Sequence, residues 1–214
     1  MLVATMTDLE KRRQAIADAH EITRYTILNL RPKLVKEIRK FNIFPRILKS
    51  TYTTKNKNKY FLLFLIESRS DIDKPYIMAS YTIMDSAEGK YAMSAVLTLG
   101  ENVSFQIYSP HLFARYTQRY GCNMYEEERI HRFMEDSLKS KYTGTREYEE
   151  GKIYSVVNGG AILGDIRGDI IVYKTYVDDE SLREEQLELG DEISESFVKR
   201  NNLYKNLFKK RKRV

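Results

Sequence analysis

The chain contains 214 residues, of which 42% are hydrophobic and 31% are charged, and its formal net charge is +6. This length and apolar content predict a folded protein with a substantial core and exclude a globally disordered chain. Five of the positive charges lie at 209–213, so the rest of the chain carries a net charge of only about +1. The high isoelectric point therefore indicates a basic tail rather than a strongly basic, nucleic-acid-binding body.

The single cysteine, Cys122, excludes an intrachain disulfide and is typical of a reducing compartment. The N-terminus lacks the basic and then apolar pattern of a secretory leader. The longest apolar run, 60–66, has the length of a strand and is too short to span a membrane. These features predict a cytoplasmic protein that makes no membrane contact.

Helices are predicted at the N-terminus. Thr7 and Glu10 have the spacing of a capping box, and apolar residues with helical spacing follow them. Pro32 is predicted to begin a second, short helix, which Pro45 limits. Residues 51–59 are polar and basic, which indicates either a connector or the exposed beginning of a strand.

Strands are predicted from residue 60 onward, because the hydrophobic period changes there. The predicted strands are 60–66, 76–84, 91–99, 102–108, 152–157, 161–166 and 169–177. Glycine-containing turns at 158–160 and 167–168 predict tight hairpins in the second group. Residues 143–151 are predicted to form a loop, and a long helix is predicted from Asp179 onward.

The predicted fold class is α+β, with N-terminal helices, an antiparallel β-meander that contains an inserted pair of helices, and a long C-terminal helix. The expected segments are a helical part at 1–50, a sheet domain at 51–178 with helices inserted at 110–141, and a helix with a basic tail at 179–214. No internal repeat or flexible linker separates these segments in the sequence.

The most informative segment is a short predicted helix that begins after Ser109. Ser109 is a favourable N-cap, and Pro110 suits the first helical position. His111, Arg115 and Arg119 recur every four residues and therefore share one face. Since two arginines at this spacing repel each other, the pattern indicates an anion across the face. The helix dipole disfavours an imidazolium in the first turn, which favours a neutral His111.

Two interpretations of this face stay open. In the first, the arginines lay their stems over apolar surface or pair with the acidic residues 126–128. In the second, the face binds a phosphate group and needs a further polar side chain. Alternation along the strand 169–177 predicts Tyr173 and Thr175 on one face, which is a suitable source of that hydroxyl, although the same strand is also an ordinary run of strand-forming residues.

The sequence contains few signs of a cofactor. It has no Walker loop, no dinucleotide fingerprint, no HExxH and no CxxC. Glu128 and His131 match half of a carboxylate-bridged di-iron motif, but the second copy that such a site needs is missing. We therefore expect no cofactor and no metal site, and we interpret His131 as a surface residue beside acidic neighbours.

Residues 104–177 resemble the barnase–EndoU–colicin–RelE group of small ribonucleases, many of which are toxins. The resemblance rests on a strand, a helix opening with His-x-x-x-Arg-Tyr-x-x-Arg, and a final strand that carries tyrosine and threonine. It implies metal-independent cleavage of RNA. His111 would be the acid/base residue, Arg115 and Arg119 would hold the scissile phosphate, and Tyr173 or Thr175 would complete the site.

Non-enzymatic functions are alternatives from the same sequence. One is a module that binds nucleic acid or a protein partner, and another is an assembly protein that uses its C-terminal helix to contact a second copy. The basic tail is the predicted nucleic-acid contact in the binding alternative. Its residues are Lys209, Lys210, Arg211, Lys212 and Arg213.

Overall fold

A computed structural model of the protein describes residues 1–69, 77–97, 103–119, 124–139 and 145–196. Helix α1 (Asp8–Tyr25) begins with the predicted capping box, in which the Thr7 side chain accepts from the Glu10 N–H. A π-helical turn (Thr26–Leu30) connects it directly to α2 (Arg31–Ile38). The wider turn ends just before Pro32, which has no N–H to continue the regular hydrogen-bond ladder.

Nine strands of the described residues form one sheet, with the order β1-β2-β3-β4-β5-β9-β8-β7-β6. The strands are β1 (Arg46–Thr53), β2 (Lys59–Ile66), β3 (Ile77–Ser86), β4 (Gly89–Leu97), β5 (Val103–Tyr108), β6 (Thr145–Glu149), β7 (Lys152–Val157), β8 (Gly160–Arg167) and β9 (Ile170–Asp178). The predicted mixture of helices and strands is confirmed. The sheet is mixed rather than wholly antiparallel, because β5 and β9 pair in parallel.

The crossover between β5 and the second group of strands contains helices α3 (Pro110–Arg119) and α4 (Glu126–Lys139). These helices cover one face of the sheet, in a core that includes Leu112, Phe133 and Tyr173. Helices α1 and α2 cover the other face over the first strands, where alternate residues of β2 are buried against them. The result is a central sheet with helices on both sides.

Two sequence predictions are corrected by these strands. Strand β1 begins inside the segment that was expected to be helical, so the predicted boundary at residue 50 falls within a strand. Strand β6 lies in the predicted loop 143–151. All five residues of this edge strand are exposed. Its sequence therefore lacks the alternation of apolar and polar residues from which a strand is predicted.

The long C-terminal helix is not supported. A 3-10 turn (Asp179–Ser181) follows β9, and a separate short helix, α5, occupies 184–196. Ile193 is buried against Tyr154 and Ala161 on the same face of the sheet as α1. The remainder of the predicted helix and the basic tail lie outside the described residues.

Candidate functional site

Helix α3 is anchored at its N-terminus by Ser109, which acts as the predicted cap. Its Oγ accepts from the Leu112 N–H at 3.2 Å and donates to the carbonyl of Lys174 at 2.9 Å. The Ser109 N–H also donates to the carbonyl of Tyr173 at 3.0 Å. The beginning of α3 is therefore fixed to β9 by backbone and side-chain contacts.

The predicted face of α3 is the solvent face. His111, Arg115 and Arg119 are all exposed, whereas the residues between them bury the opposite side of the helix. Leu112, Phe113 and Tyr116 are 0–2% exposed and pack into the core. The helical spacing in the sequence thus predicted the shared face correctly, because apolar residues of this short helix can be buried on one side only.

His111 lies in a cleft of about 310 Å³ between α3, α4 and the β3–β4 hairpin, which we call the α3–α4 cleft. Besides Pro110 and Ala114, its lining residues are Glu88, Lys90, His111, Phe113, Glu126 and Arg129. Pro110 is the first residue of α3 and Glu126 is the first residue of α4. The N-termini of two helices meet there, and the positive ends of their dipoles favour an anion.

The two cations of the cleft differ in how far they are neutralised. The Lys90 ammonium lies 2.7 Å from Asp85 Oδ1 and 3.2 Å from Glu127 Oε1, and these hydrogen bonds raise its pKa. The Arg129 Nε donates to the carbonyl of Met124 at 2.8 Å. Arg129 forms no ion pair with any carboxylate of the described residues. Among the described residues, no carboxylate therefore neutralises this guanidinium.

Glu126 approaches the hairpin closely at Gly89, which has φ +117°. A Cβ atom at Gly89 would lie 2.9 Å from Glu126 Oε1 and would also be strained by this backbone conformation. The glycine therefore permits both the tight hairpin and the carboxylate on the cleft wall. The site combines an imidazole, two carboxylates and the Arg129 guanidinium, the group types that acid/base chemistry at a phosphate uses.

The two arginines of α3 do not join His111 in the cleft. Arg115 is exposed and donates to Gln118 Oε1 at 3.4 Å. The Arg119 Nε lies 3.2 Å from Asp178 Oδ2, and Asp178 also caps the 3-10 turn after β9. The acidic residues 126–128 pair with neither arginine. Arg119 thus has a partner within the fold, and Arg115 has no carboxylate partner among the described residues.

Tyr173 and Thr175 do not share a face, so the predicted alternation is wrong for this strand. A β-bulge at Lys174 aligns Leu163 with Thr175 and Gly164 with Tyr173. The extra residue reverses the alternation. Tyr173 is therefore in the core beneath α3 and α4, whereas Thr175 lies on the side of its partner Leu163, under α5.

The hydroxyl of Tyr173 is buried with the rest of the side chain and has a hydrogen-bond partner inside the core. It is 2% exposed, and its hydroxyl lies 3.0 Å from Ser155 Oγ. Burial raises its pKa, against the lowering effect of hydrogen bonds with Ser155 and Thr145. A buried neutral phenol with an internal partner is not positioned to complete a site on the solvent face of α3.

Sequence reasoning missed the four charged lining residues of the cleft that lie outside α3: Glu88, Lys90, Glu126 and Arg129. They belong to a hairpin and to the first turns of another helix, and only the packing of α4 beside α3 places them near His111. The available signal was the acidic run at 126–128, which is typical of a helix N-terminus. That signal predicts a helix end and says nothing about the neighbouring element.

His131 is half-buried, which corrects its interpretation as a surface residue. Its Nδ1 lies 2.6 Å from the Tyr81 hydroxyl, and its ring contacts Phe61 edge-on. In the described part of the chain, His, Cys, Asp and Glu side chains do not gather in groups of three or more that could hold a metal ion. Within the same ranges, every helix is too short or too polar to cross a lipid bilayer.

Comparison with known proteins adds no relative. Protein-family models, curated proteins and solved structures give no match to the chain. The ribonuclease resemblance therefore stays a prediction that depends on the residues of 104–177 alone.

Proposed function

We propose that the α3–α4 cleft binds the backbone of an RNA strand and cleaves it without a metal ion, with His111 as the acid/base residue. The observation that supports this proposal is the position of His111 and Arg129 in one cleft, at the adjoining N-termini of two helices, where Arg129 has no carboxylate partner among the described residues. In this proposal His111 keeps the acid/base role that the ribonuclease resemblance implies. Arg129 takes the phosphate-binding role in place of Arg119, and neither Tyr173 nor Thr175 takes part.

The proposed reaction is an internal transfer at phosphorus. The 2′-oxygen attacks the adjacent phosphorus while His111 accepts the proton of the 2′-hydroxyl. The bond from phosphorus to the 5′-oxygen breaks, and that oxygen takes a proton from solvent, to which the imidazolium later returns its own. The products are a 2′,3′-cyclic phosphate and a 5′-hydroxyl, and the Arg129 guanidinium stabilises the added charge on the phosphate oxygens.

Arg115 has a separate part in this proposal. It is exposed one helical turn beyond His111 and has no carboxylate partner in the described chain. A neighbouring phosphate of the same strand is a suitable partner, because consecutive phosphates repeat along the backbone. Arg115 would therefore contribute to affinity and to its dependence on salt, and not to the chemical step.

The test is cleavage of a single-stranded RNA in the presence of EDTA by the full-length protein and its variants. We expect His111→Ala to reduce the cleavage rate by about 100-fold or more, because positioned acid/base groups contribute about that much. Arg129→Ala should also reduce the rate, and Arg115→Ala should mainly weaken binding.

His20→Ala is the matched control, because His20 is exposed on α1, on the other face of the sheet. It should leave the rate unchanged. Equal activity of the His111→Ala and wild-type proteins would remove His111 from the mechanism. Binding of RNA by the wild-type protein with no cleavage would reject the nuclease and leave the binding alternative.

The second candidate is a module that binds nucleic acid without cleaving it. It is favoured by the burial of Tyr173, because the cleft then lacks the third polar side chain that the ribonuclease resemblance implies. Truncation after residue 208 tests the contribution of the basic tail. The tail contributes if truncation weakens binding and reduces its salt dependence. In the assembly alternative, Ile193 cannot contact a second copy, because it is already buried within the chain.

A further inference from the structure

A second cleft, of about 390 Å³, lies on the opposite face of the sheet, between the beginning of α1 and the strands β4, β5 and β9. We call it the Lys11 cleft. Its charged and polar lining includes Asp8, Lys11, Tyr91 and Arg167. Ile107 and Val172 supply an apolar wall, so the cleft combines charged side chains of both signs with apolar surface.

Lys11 is the unusual residue of this cleft. The residue is only 8% exposed, and its ammonium makes no ion pair or hydrogen bond with any residue that the structure describes. The ammonium lies over the ring of Tyr91, whose centroid is 5.6 Å from Nζ. A cation–π contact at this distance is favourable but supplies no acceptor for the N–H groups.

Tyr91, which lines the same cleft, also has a polar group without a hydrogen-bond partner in the described chain. It is 8% exposed, and its hydroxyl is buried without a hydrogen-bond partner in the described chain. Buried polar groups in native proteins nearly always have partners, and the Tyr91 hydroxyl has none in the described chain. The Lys11 ammonium beside it is not a buried atom but opens into the cleft. Both groups can therefore donate to an acceptor that comes from outside the chain.

The other polar groups of the cleft do not supply that acceptor. Asp85 lies 2.7 Å from the Lys90 ammonium, and the Ser86 hydroxyl donates to the Gly89 carbonyl at 2.6 Å. Asp8 lines the cleft without reaching Lys11, and the exposed Arg167 adds a second cation. The position of Lys11 in the first turns of α1 makes the case stronger, because the helix dipole disfavours a cation there.

We propose that the Lys11 cleft binds the oxyanion of a small organic ligand, either a carboxylate or a phosphate monoester. The Lys11 ammonium donates to the oxyanion, Arg167 adds positive charge at the rim, and the body of the ligand lies against Ile107 and Val172. This site is independent of the α3–α4 cleft, which is on the other face of the sheet.

The test uses three probes of similar size: phenyl phosphate, benzoate and the uncharged benzyl alcohol. Binding to the full-length protein is followed by NMR titration of backbone amides, and we expect at least one anion to shift signals near residues 8–11 and 85–91, whereas the alcohol does not. A response to phenyl phosphate alone would assign a phosphate ester, and a response to benzoate alone would assign a carboxylic acid.

Lys11→Met keeps most of the side-chain volume and removes the charge. We expect it to weaken anion binding by about tenfold or more, the usual effect of losing a hydrogen bond to a charged group. Lys33→Met is the matched control, because Lys33 is exposed on α2, and it should bind like the wild type. Absence of binding by both anions, or unchanged binding in Lys11→Met, would overturn the proposal.

A second measurement does not depend on the choice of probe. Without ligand, the Lys11→Met protein should unfold at the same temperature as the wild type or at a higher one, because the variant keeps the buried side-chain stem and removes a charge that has no acceptor among the described residues. A clearly lower unfolding temperature would show that Lys11 has a structural partner and would also overturn the proposal.

Discussion

Helix α1 buries two charged residues of opposite sign, and the fold treats them differently. Asp18 is 0% exposed and accepts four hydrogen bonds, whereas Lys11, two turns earlier, is 8% exposed and has no acceptor in the described chain. The donors to Asp18 are Gln14 Nε2 at 3.1 Å, Asn56 Nδ2 at 3.0 Å, Asn58 Nδ2 at 2.6 Å and the Tyr60 hydroxyl at 3.1 Å.

The difference in hydrogen-bond partners indicates different roles: Asp18 stabilises the fold, whereas Lys11 is available for a ligand. Asp18 connects α1 to the turn between β1 and β2, and Asn58 extends this network by accepting from the Leu2 N–H at 2.6 Å. Burial, and then the nearby Asp18 carboxylate, raise the pKa of Tyr60, so the phenol stays a donor. The described residues supply Asp18 with four hydrogen-bond donors and supply the Lys11 ammonium with no acceptor.

The largest expected effect is that of Asp18→Ala. We expect the free energy of unfolding to fall by about 3 kcal/mol, because Asn58 and Tyr60 would keep buried donors without an acceptor. Urea denaturation measures this change. Glu37→Ala is the control, since it removes only one member of an exposed ion pair with Lys40 and should change stability by less than about 1 kcal/mol. A loss in Asp18→Ala no larger than in Lys11→Met would break the comparison.

Asp136 on α4 extends the comparison to the other face of the sheet. This carboxylate is 5% exposed and accepts from the Tyr116 hydroxyl at 2.5 Å, Arg132 Nε at 2.6 Å and Lys139 Nζ at 2.9 Å. Burial by itself raises its pKa, but the hydrogen bonds from Tyr116 and Lys139 outweigh burial and lower it below the ordinary value of 3.8. Asp136 is thus a satisfied charge like Asp18.

The pH dependence of stability tests this assignment. Since the pKa of Asp136 is lower in the folded state, its stabilising contribution is complete above pH 3.8 and is lost as the pH falls through the folded pKa. We expect Asp136→Asn to lose about 2 kcal/mol at neutral pH and to show a shallower decline in acid. Urea denaturation across an acidic pH series measures both. An unchanged acid profile would contradict the assignment.

The smallest expected effect is that of substituting His131. This residue is intermediate between Asp18 and Lys11, because it is half-buried and has one hydrogen-bond partner, the Tyr81 hydroxyl. Burial lowers its pKa from 6.5, against the opposing effect of Glu127 and Glu135. Its contribution to stability is therefore present above pH 6.5 and is lost as the pH falls through the folded pKa. His131→Gln should flatten the pH dependence of the unfolding temperature in that range, and His20→Ala should leave it unchanged.

Local patterns predicted the part of the candidate site that lies on one helix. Ser109, Pro110 and the spacing of His111 and Arg115 predicted the beginning of α3 and its solvent face, because caps and helical periodicity depend on residues within a few positions of each other. The companions of His111 were not predictable in this way. Lys90 and Arg129 belong to other elements, and the sequence contains no record of which elements become neighbours.

The strand β9 shows the limit of pattern reasoning most directly. Its residues predicted a strand correctly, but the bulge at Lys174 moved Thr175 to the face opposite Tyr173. Gly164, aligned with Tyr173, is required there, since a Cβ atom at this position would lie 2.9 Å from the Tyr173 Cα. Period-2 alternation assumes an unbroken ladder, and a bulge depends on the partner strand.

The sequence by itself determined the fold class, the capped beginnings of α1 and α3, and the exposed face that carries His111, because these follow from interactions over a few residues. Only the tertiary structure decided the parallel pairing of β5 with β9, the separation of Tyr173 from Thr175, and the different partners of Asp18 and Lys11. These features depend on contacts between distant segments, and whether a buried charge is satisfied is a property of those contacts.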